Sequence, residues 1–142
     1  MNQEKFMNDL LKTWEFASCK PSSTPGVKGS SVSLEVMNPE EIDPKDAHQA
    51  QKLAGSLIWL STRTRPDIAY AQSRISSLAT KNPILALEEG KRVLIYLFGT
   101  ETIGLVFKKS QDLNVVAYGD ANYDIKRSQS GIIIKVGGNI IA

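Results

Sequence analysis

The residue in this sequence that is best suited to catalysis or metal binding is an aspartate that follows an apolar segment. Residues 115–119, Val-Val-Ala-Tyr-Gly, have the composition of a β strand, and Asp120 comes next. Carboxylates are suitable ligands for Mg²⁺, and two-metal phosphodiester hydrolysis needs several of them around ions ~4 Å apart. Asp124 is a second acid nearby, but a solvated turn residue is the better interpretation of it. From the residues alone, an ordinary strand-end aspartate remains the alternative for Asp120.

Basic residues form the second group that could do chemistry. The candidates are Arg63 and Arg65 at a helix junction and Lys91 and Arg92 within a later helix. Contacts to phosphate groups require only such positive side chains and carry no base specificity. For each pair taken alone, solvated surface charge is the alternative.

Other reactive side chains have no partners in the sequence. His48 and Cys19 are the single histidine and the single cysteine, so an internal disulfide and a cysteine-pair zinc site are excluded. Neither a Gly-x-Ser-x-Gly nor a Ser-x-x-Lys pattern occurs, and Gly137-Gly138 lacks the spacing of a phosphate-binding loop. Acyl-transfer, dinucleotide and nucleoside-triphosphate chemistry therefore have no support.

Composition sets further bounds. The 142 residues are 42% hydrophobic and 23% charged with a formal charge of +2, typical of a soluble globular chain in a reducing compartment. The charge lacks the basic excess of a dedicated nucleic-acid-binding domain. The longest apolar run, residues 93–98, is too short for a membrane span, and the N-terminus does not resemble a signal peptide.

Periodicity predicts helices first and strands afterwards, an α+β fold. A helix is expected over residues 2–16 with Phe6 on its apolar face, followed by a connector rich in Pro, Gly and Ser. Three helices are expected between residues 46 and 98, with Gly90 at a close helix contact. Beyond Thr100 four strands are expected, at 103–108, 113–121, 131–136 and from 139 onward, with a poorly protected sheet face.

Four stretches, in this order, resemble one known family. They are Phe-Met-Asn-Asp-Leu-Leu (6–11) with Cys-Lys-Pro-Ser-Ser-Thr-Pro (19–25); Leu-Ala-Gly-Ser-Leu-Ile-Trp-Leu (53–60) with Thr-Arg-Pro-Asp-Ile-Ala-Tyr-Ala (64–71); Lys-Arg-Val-Leu-Ile-Tyr-Leu-Phe-Gly-Thr (91–100) with Gly-Leu (104–105); and Tyr-Gly-Asp-Ala-Asn-Tyr (118–123) with Ser-Gln-Ser-Gly (128–131). Together they resemble the C-terminal part of the reverse transcriptase and the start of the ribonuclease H domain in copia-type LTR retrotransposon polyproteins.

The resemblance implies a domain organisation. Residues 1–19 would be a helix at the end of the reverse transcriptase core, 20–45 an extended linker, 46–100 a helical thumb and connection region, and 101–142 the N-terminal part of a ribonuclease H-like domain. That last part would hold the first strands of an incomplete mixed sheet.

The resemblance also implies a function. Asp120 would be a catalytic residue and the first Mg²⁺ ligand of the ribonuclease H site, although Asn122 and Tyr123 replace the usual aspartate and tryptophan. The partners would be an RNA–DNA hybrid or primer–template duplex and the remainder of the Pol polyprotein, with no membrane. The expected location is the cytoplasm, in a virus-like particle of the parent element, with the nucleus as a second compartment.

The parent would synthesise DNA on RNA and cleave the RNA strand of hybrids. These residues alone are expected to do neither, because no Asp-Asp pair occurs and the other nuclease acids would lie beyond Ala142. Two alternatives remain open: a non-catalytic nucleic-acid-binding or structural helical module, and a decayed transposon remnant without activity. The residues at Gly90, Asn122 and Ala142 depart from the family pattern and slightly favour decay.

Overall fold

The computed structural model describes residues 2–15, 20–26, 36–111, 113–122 and 129–141. The chain separates into two compact units, a helical unit over Asn2–Gly104 and a strand unit over Leu105–Ala142. In the described residues, the helices all belong to the first unit and the strands to the second. The predicted α+β class is confirmed.

The described residues of the helical unit form four α-helices and two short 3₁₀ turns. The α-helices are α1 (Glu4–Thr13), α2 (Pro44–Arg63), α3 (Ala69–Leu78) and α4 (Pro83–Phe98). The 3₁₀ turns are Pro39–Glu41 and Pro66–Ile68. None of the described helices is both long enough and apolar enough to cross a membrane.

Local signals set the starts of the two longest helices. Asp43 accepts a hydrogen bond from the backbone N–H of Lys45 at 2.8 Å, and Pro44 occupies the first helical position of α2. Asn82 accepts in the same way from Leu85 at 3.1 Å, with Pro83 next to it at the start of α4. Asn82 is therefore the N-cap of α4.

The core of the helical unit lies where α2, α3 and α4 meet. Its fully buried members are mostly branched aliphatic side chains, each worth roughly 1.5–3 kcal/mol relative to exposure. They include Leu53, Leu57, Leu60, Ile68, Ile75, Leu78, Val93, Leu94 and Leu97. Helix α1 adds Met7, Leu10 and Leu11 to this core. Phe6, which the sequence placed on the apolar face, is exposed, and Met7 takes the buried position instead.

Gly90 marks a close approach of two helices, as predicted. A Cβ atom built at this position would collide with the side chain of Leu53. The missing side chain therefore allows α4 to lie directly on α2, which offsets the cost of a mid-helix glycine.

The strand unit contains a three-stranded antiparallel sheet in the order β1-β2-β3 among its described residues. The strands are β1 (Val115–Asn122), β2 (Gln129–Val136) and β3 (Asn139–Ile140). Gly137 and Gly138 both have positive φ and form a two-residue hairpin turn between β2 and β3. All described pairs are antiparallel, so no parallel pair of the expected mixed sheet is present in this part of the chain.

The predicted strand over residues 103–108 is absent: this segment has no strand structure. Near its end, the side chain of Asn139 accepts from the backbone N–H of Lys108 at 2.6 Å and donates to its carbonyl at 2.9 Å. One side-chain amide thus supplies the bonds that a neighbouring strand would provide, and only at one residue.

One sheet face is apolar and open to solvent within the strand unit. Val115 and Ile132 lie on this face, with relative exposures of 68% and 67%. Within the described residues of the strand unit, no helix packs on this face.

Candidate nucleic-acid interface

The last residue of α2, Arg63, is exposed, and its guanidinium lies over the indole ring of Trp59 at 4.8 Å from the ring centroid. Such a cation–π contact stiffens the long arginine side chain while leaving N–H donors available. Trp59 is itself 46% exposed. A positive group and an aromatic surface are therefore presented together.

The outward face of α2 continues this arrangement toward the N-terminus. Gln51, Gly55, Trp59 and Arg63 follow one another at intervals of four residues, so they share one side of the helix. Lys52 lies next to them, and all five are exposed. We call these five residues the α2 outer strip.

Gly55 gives the α2 outer strip a flat centre. Nothing lies within 4 Å of the position that a Cβ would occupy at Gly55, so the glycine is not required by packing inside the protein. A bare helix backbone lets a ligand approach closely. Arg63 is the member of this strip that the sequence indicates as a candidate, although the four-residue spacing opposite the leucines of α2 could have revealed the others.

Arg65 has a different placement from its neighbour Arg63, two residues earlier. It is only 1% exposed, and its guanidinium donates to both carboxylate oxygens of Asp67, from Nε at 3.0 and 3.2 Å and from Nη2 at 2.8 Å. It also donates to the carbonyl of Thr100 at 3.0 Å and to its Oγ1 at 2.7 Å. The structure thus gives Arg65 a role inside the core in place of the phosphate contact that the sequence suggested.

Tyr96 contacts both Asp67 and Arg65. The Tyr96 hydroxyl donates to Asp67 Oδ2 at 2.8 Å, and the Arg65 guanidinium lies 5.5 Å from the centroid of the Tyr96 ring. We call Arg65, Asp67, Tyr96 and Thr100 the Arg65 cluster. It joins the turn after α2 to the C-terminal end of α4.

The cluster changes the acidity of two of its members. Partial burial by itself raises the pKa of the Asp67 carboxyl, but the hydrogen bonds from Arg65 and Tyr96 outweigh it, so this pKa lies below its usual value. Burial, followed by the hydrogen bond to Asp67, raises the pKa of the Tyr96 hydroxyl. Both shifts favour an ionised Asp67 that accepts from neutral Tyr96.

The two other predicted cations lie side by side in α4 but differ in exposure. Lys91 is exposed. Arg92 is half-buried, and its Nη2 donates to Thr24 Oγ1 at 3.4 Å. Neither Lys91 nor Arg92 belongs to the α2 outer strip, so Arg63 is the one predicted cation that the strip contains.

Asp120 lies in the middle of the strand unit. It is exposed in β1, and its partner across the sheet is Gly131 of β2. Tyr118 and Lys135 belong to the same sheet face, with the Lys135 ammonium 5.3 Å from the Tyr118 ring centroid. Asp124 lies outside the described residues.

A single carboxylate such as that of Asp120 is not sufficient to form a Mg²⁺ site. In the part of the chain that the structure describes, no three His, Cys, Asp or Glu side chains come together in a way that could hold a metal ion. Hard cations such as Mg²⁺ take several oxygen ligands. The described residues therefore do not form a complete Mg²⁺ site, and no metal-dependent step can be derived from them.

Comparison with known proteins gives consistent relatives. The chain is 32% identical over its whole length to the retrovirus-related Pol polyprotein from transposon RE1 of Arabidopsis thaliana, of which it covers 10%. It is 29% identical, again over its whole length, to the corresponding polyprotein from transposon TNT 1-94 of Nicotiana tabacum, covering 11%. It is also 32% identical over its whole length to an uncharacterised mitochondrial protein of Arabidopsis thaliana, covering 58% of it.

No family model and no solved structure matches the chain. The chain spans about one tenth of the length of the Pol polyproteins that it resembles along its entire sequence. The order of motifs in the sequence and these full-length matches agree, and the chain belongs to the retrovirus-related Pol polyproteins of copia-type retrotransposons.

Proposed function

We propose that the helical unit contributes to binding a primer–template duplex within a longer Pol polyprotein, through the α2 outer strip. The observation that carries this proposal is the exposed pair of Arg63 and Trp59, aligned on one helix face with the bare backbone at Gly55. In this assignment residues 46–100 correspond to the thumb and connection region of the reverse transcriptase.

The strip has the chemistry that a duplex requires. Lys52 and Arg63 would face phosphate groups, Gln51 would donate and accept hydrogen bonds, and Trp59 would pack against a sugar or base edge. An RNA–DNA hybrid with A-like geometry has a wide, shallow minor groove that displays 2′-hydroxyls. A helix with a glycine in the middle of its contact face suits such a shallow surface.

We further propose that Asp120 is one Mg²⁺ ligand of a ribonuclease H site in the parent polyprotein, which synthesises DNA on RNA and cleaves the RNA of hybrids. Its position on an exposed strand of an antiparallel sheet supports this assignment. The remaining ligands would come from other parts of the polyprotein, and the location would be the cytoplasm, in a virus-like particle, or the nucleus. The fragment alone is then catalytically inactive.

Fluorescence anisotropy with a labelled RNA–DNA hybrid tests duplex binding by the full chain. We expect affinity that falls steeply with salt, because phosphate contacts release counterions. Arg63→Gln should weaken binding and lower the slope of log K against log salt by about 0.9, the value for one lost phosphate contact. Lys12→Gln, an exposed lysine of α1, is the matched control and should leave the slope unchanged.

Equal slopes for Arg63→Gln, Lys12→Gln and the wild type would contradict the assignment of the α2 outer strip. No binding at low salt by the folded chain would favour the alternative of a structural module or a decayed remnant. Cleavage of the hybrid by the fragment in Mg²⁺ would contradict the incomplete nuclease site.

A further inference from the structure

A segment of the connector packs on α4. Residues 20–26, which we call the strap, lie within the stretch that the sequence predicted to be an extended linker. Pro21 packs against Gly99, where an added Cβ would be 2.5 Å from Pro21 Cβ. Pro25 and Gly26 line a small cavity of about 40 Å³ with residues of α3 and α4. Gly99 thus permits a close contact that anchors one end of the strap.

Thr24 connects the middle of the strap to α4. Its Oγ1 donates to the carbonyl of Gly26 at 3.0 Å and accepts from Arg92 Nη2 at 3.4 Å. Ser22 Oγ donates to the carbonyl of Thr24 at 2.9 Å and accepts from its N–H at 3.4 Å, which sets the local turn. Thr24 as a whole is exposed, as a residue modified by another protein must be.

Arg92 has unused hydrogen-bonding capacity beside this hydroxyl. Its Nε is buried and has no hydrogen-bond partner among the described residues. The bond from its Nη2 to Thr24, at 3.4 Å, is longer than the usual 2.7–3.2 Å of an N–H···O hydrogen bond, whereas charged donors lie about 2.7–2.9 Å from anionic acceptors. An anionic group on Thr24 would satisfy this guanidinium better than the neutral hydroxyl does.

We propose that Thr24 is a phosphorylation site, and that the phosphate pairs with Arg92 to fix the strap on α4. Thr24 precedes Pro25, the dipeptide that proline-directed serine/threonine kinases accept. Such a kinase transfers the γ-phosphoryl group of ATP to Oγ1. An O–P bond forms at Oγ1, the bond from the γ-phosphorus to the β–γ bridging oxygen breaks, the hydroxyl proton leaves to a base, and ADP departs.

The electrostatics favour this state. A phosphothreonine carries about −1.5 to −2 charges at neutral pH, and opposite an arginine it forms charge-assisted hydrogen bonds that order a loop. Ser22 and Ser23 are not followed by proline, and it is Thr24 that contacts Arg92. The inference goes beyond the proposed duplex binding and does not depend on it.

The test uses the full chain, a proline-directed kinase and ATP with Mg²⁺, with the modified residue located by mass spectrometry. We expect one phosphate on Thr24, and none there in Thr24→Val or Pro25→Ala. A ³¹P NMR titration of the phosphorylated protein then compares wild type, Arg92→Gln and Lys91→Gln. The pKa of the phosphate should be lower by about 0.5 in wild type and Lys91→Gln than in Arg92→Gln.

Lys91 is the matched control because it is the adjacent cation on α4 and is exposed. If Arg92→Gln fails to fold, Arg92→Lys replaces it and should give an intermediate shift. Two results would overturn the proposal. One is an unmodified Thr24 in the folded chain under conditions that phosphorylate a synthetic peptide of residues 20–27. The other is the same phosphate titration in all the variants.

Discussion

Replacing Arg65 by methionine should destabilise the helical unit without removing a nucleic-acid contact. The substitution keeps an apolar side chain of comparable length but deletes the guanidinium that bonds Asp67 and Thr100. Asp67 would then keep only the hydrogen bond from Tyr96 within the Arg65 cluster. The cluster would no longer connect the turn after α2 with the end of α4.

The expected loss follows from burial. Breaking a fully buried ion pair costs about 3–5 kcal/mol, because the remaining charge has no partner. The Asp67 side chain is 31% exposed, so water recovers part of this loss. The bonds to Thr100 add to it, since its carbonyl loses a donor. We therefore expect Arg65→Met to lower the free energy of unfolding by about 2–3 kcal/mol.

Urea unfolding followed by tryptophan fluorescence measures this effect. Both tryptophans, Trp14 and Trp59, belong to the helical unit, so the signal does not come from the strand unit. Arg63→Met is the matched control, because that arginine is exposed and lies only two residues away. It should lower stability by no more than about 1 kcal/mol, the upper value for the exposed cation–π contact with Trp59 that it removes.

In the duplex-binding assay we expect the opposite pattern, with the larger effect from the Arg63 variant. Arg63→Met should weaken binding, whereas folded Arg65→Met should bind as the wild type does. If Arg65→Met were as stable as the wild type and bound the duplex more weakly, the assignment of Arg65 to the core would be refuted. The phosphate contact that the sequence suggested for Arg65 would then be correct.

Four further predictions concern two titrating side chains and two glycines. In the folded chain the pKa of Asp67 lies below its ordinary value of 3.8. The contribution of Asp67 to stability is therefore present above pH 3.8 and is lost as pH falls through the lower folded pKa. Asp67→Asn should remove this part of the acid dependence when urea unfolding is measured at a series of pH values. The raised pKa of Tyr96 means that its contribution is present below 10.0 and is lost as pH rises through the folded pKa, and Tyr96→Phe should flatten the alkaline limb. Gly90→Ala should destabilise the helical unit by about 1–3 kcal/mol in thermal or urea unfolding, because the new methyl group collides with Leu53, and an unchanged or raised stability would contradict that close contact. Gly55→Ala should stabilise the unit by up to about 1 kcal/mol, since alanine favours the helix and the site is open, yet it should weaken duplex binding; unchanged binding would mean that the glycine backbone does not contact the duplex.

Much of the local structure could be read from the sequence. The helix start at Pro83 depends on neighbouring residues, as does the hairpin at Gly137 and Gly138. Helix α2, by contrast, begins at Pro44, inside the stretch 20–45 that was expected to be a linker. The close contact at Gly90 was also predictable, because a glycine inside a helix has a cost that packing must offset. The prediction of a strand over residues 103–108 was wrong. A strand needs a partner strand to pair with, and β3, which lies near Lys108, is only two residues long.

The candidate site was less accessible to sequence reasoning. Arg63 and Arg65 have the same chemistry and lie two residues apart, so their spacing alone could not separate a surface cation from a buried one. In the sequence Trp59 lies among the apolar residues of the motif at 53–60, and this setting does not indicate that its ring is exposed. Its exposure becomes evident only once the leucines of α2 are placed against α3 and α4.

The sequence by itself determined the family, the order of helices and strands, and the caps that begin the helices, because these follow from motifs and from contacts between near neighbours. The tertiary structure decided which cations face solvent. Helix α2 ends at Arg63, and the turn that follows directs Arg65 toward Thr100, a residue 35 positions later in the chain. The burial of Arg65 depends on that distant partner, because a buried guanidinium is stable only where such partners satisfy its donors.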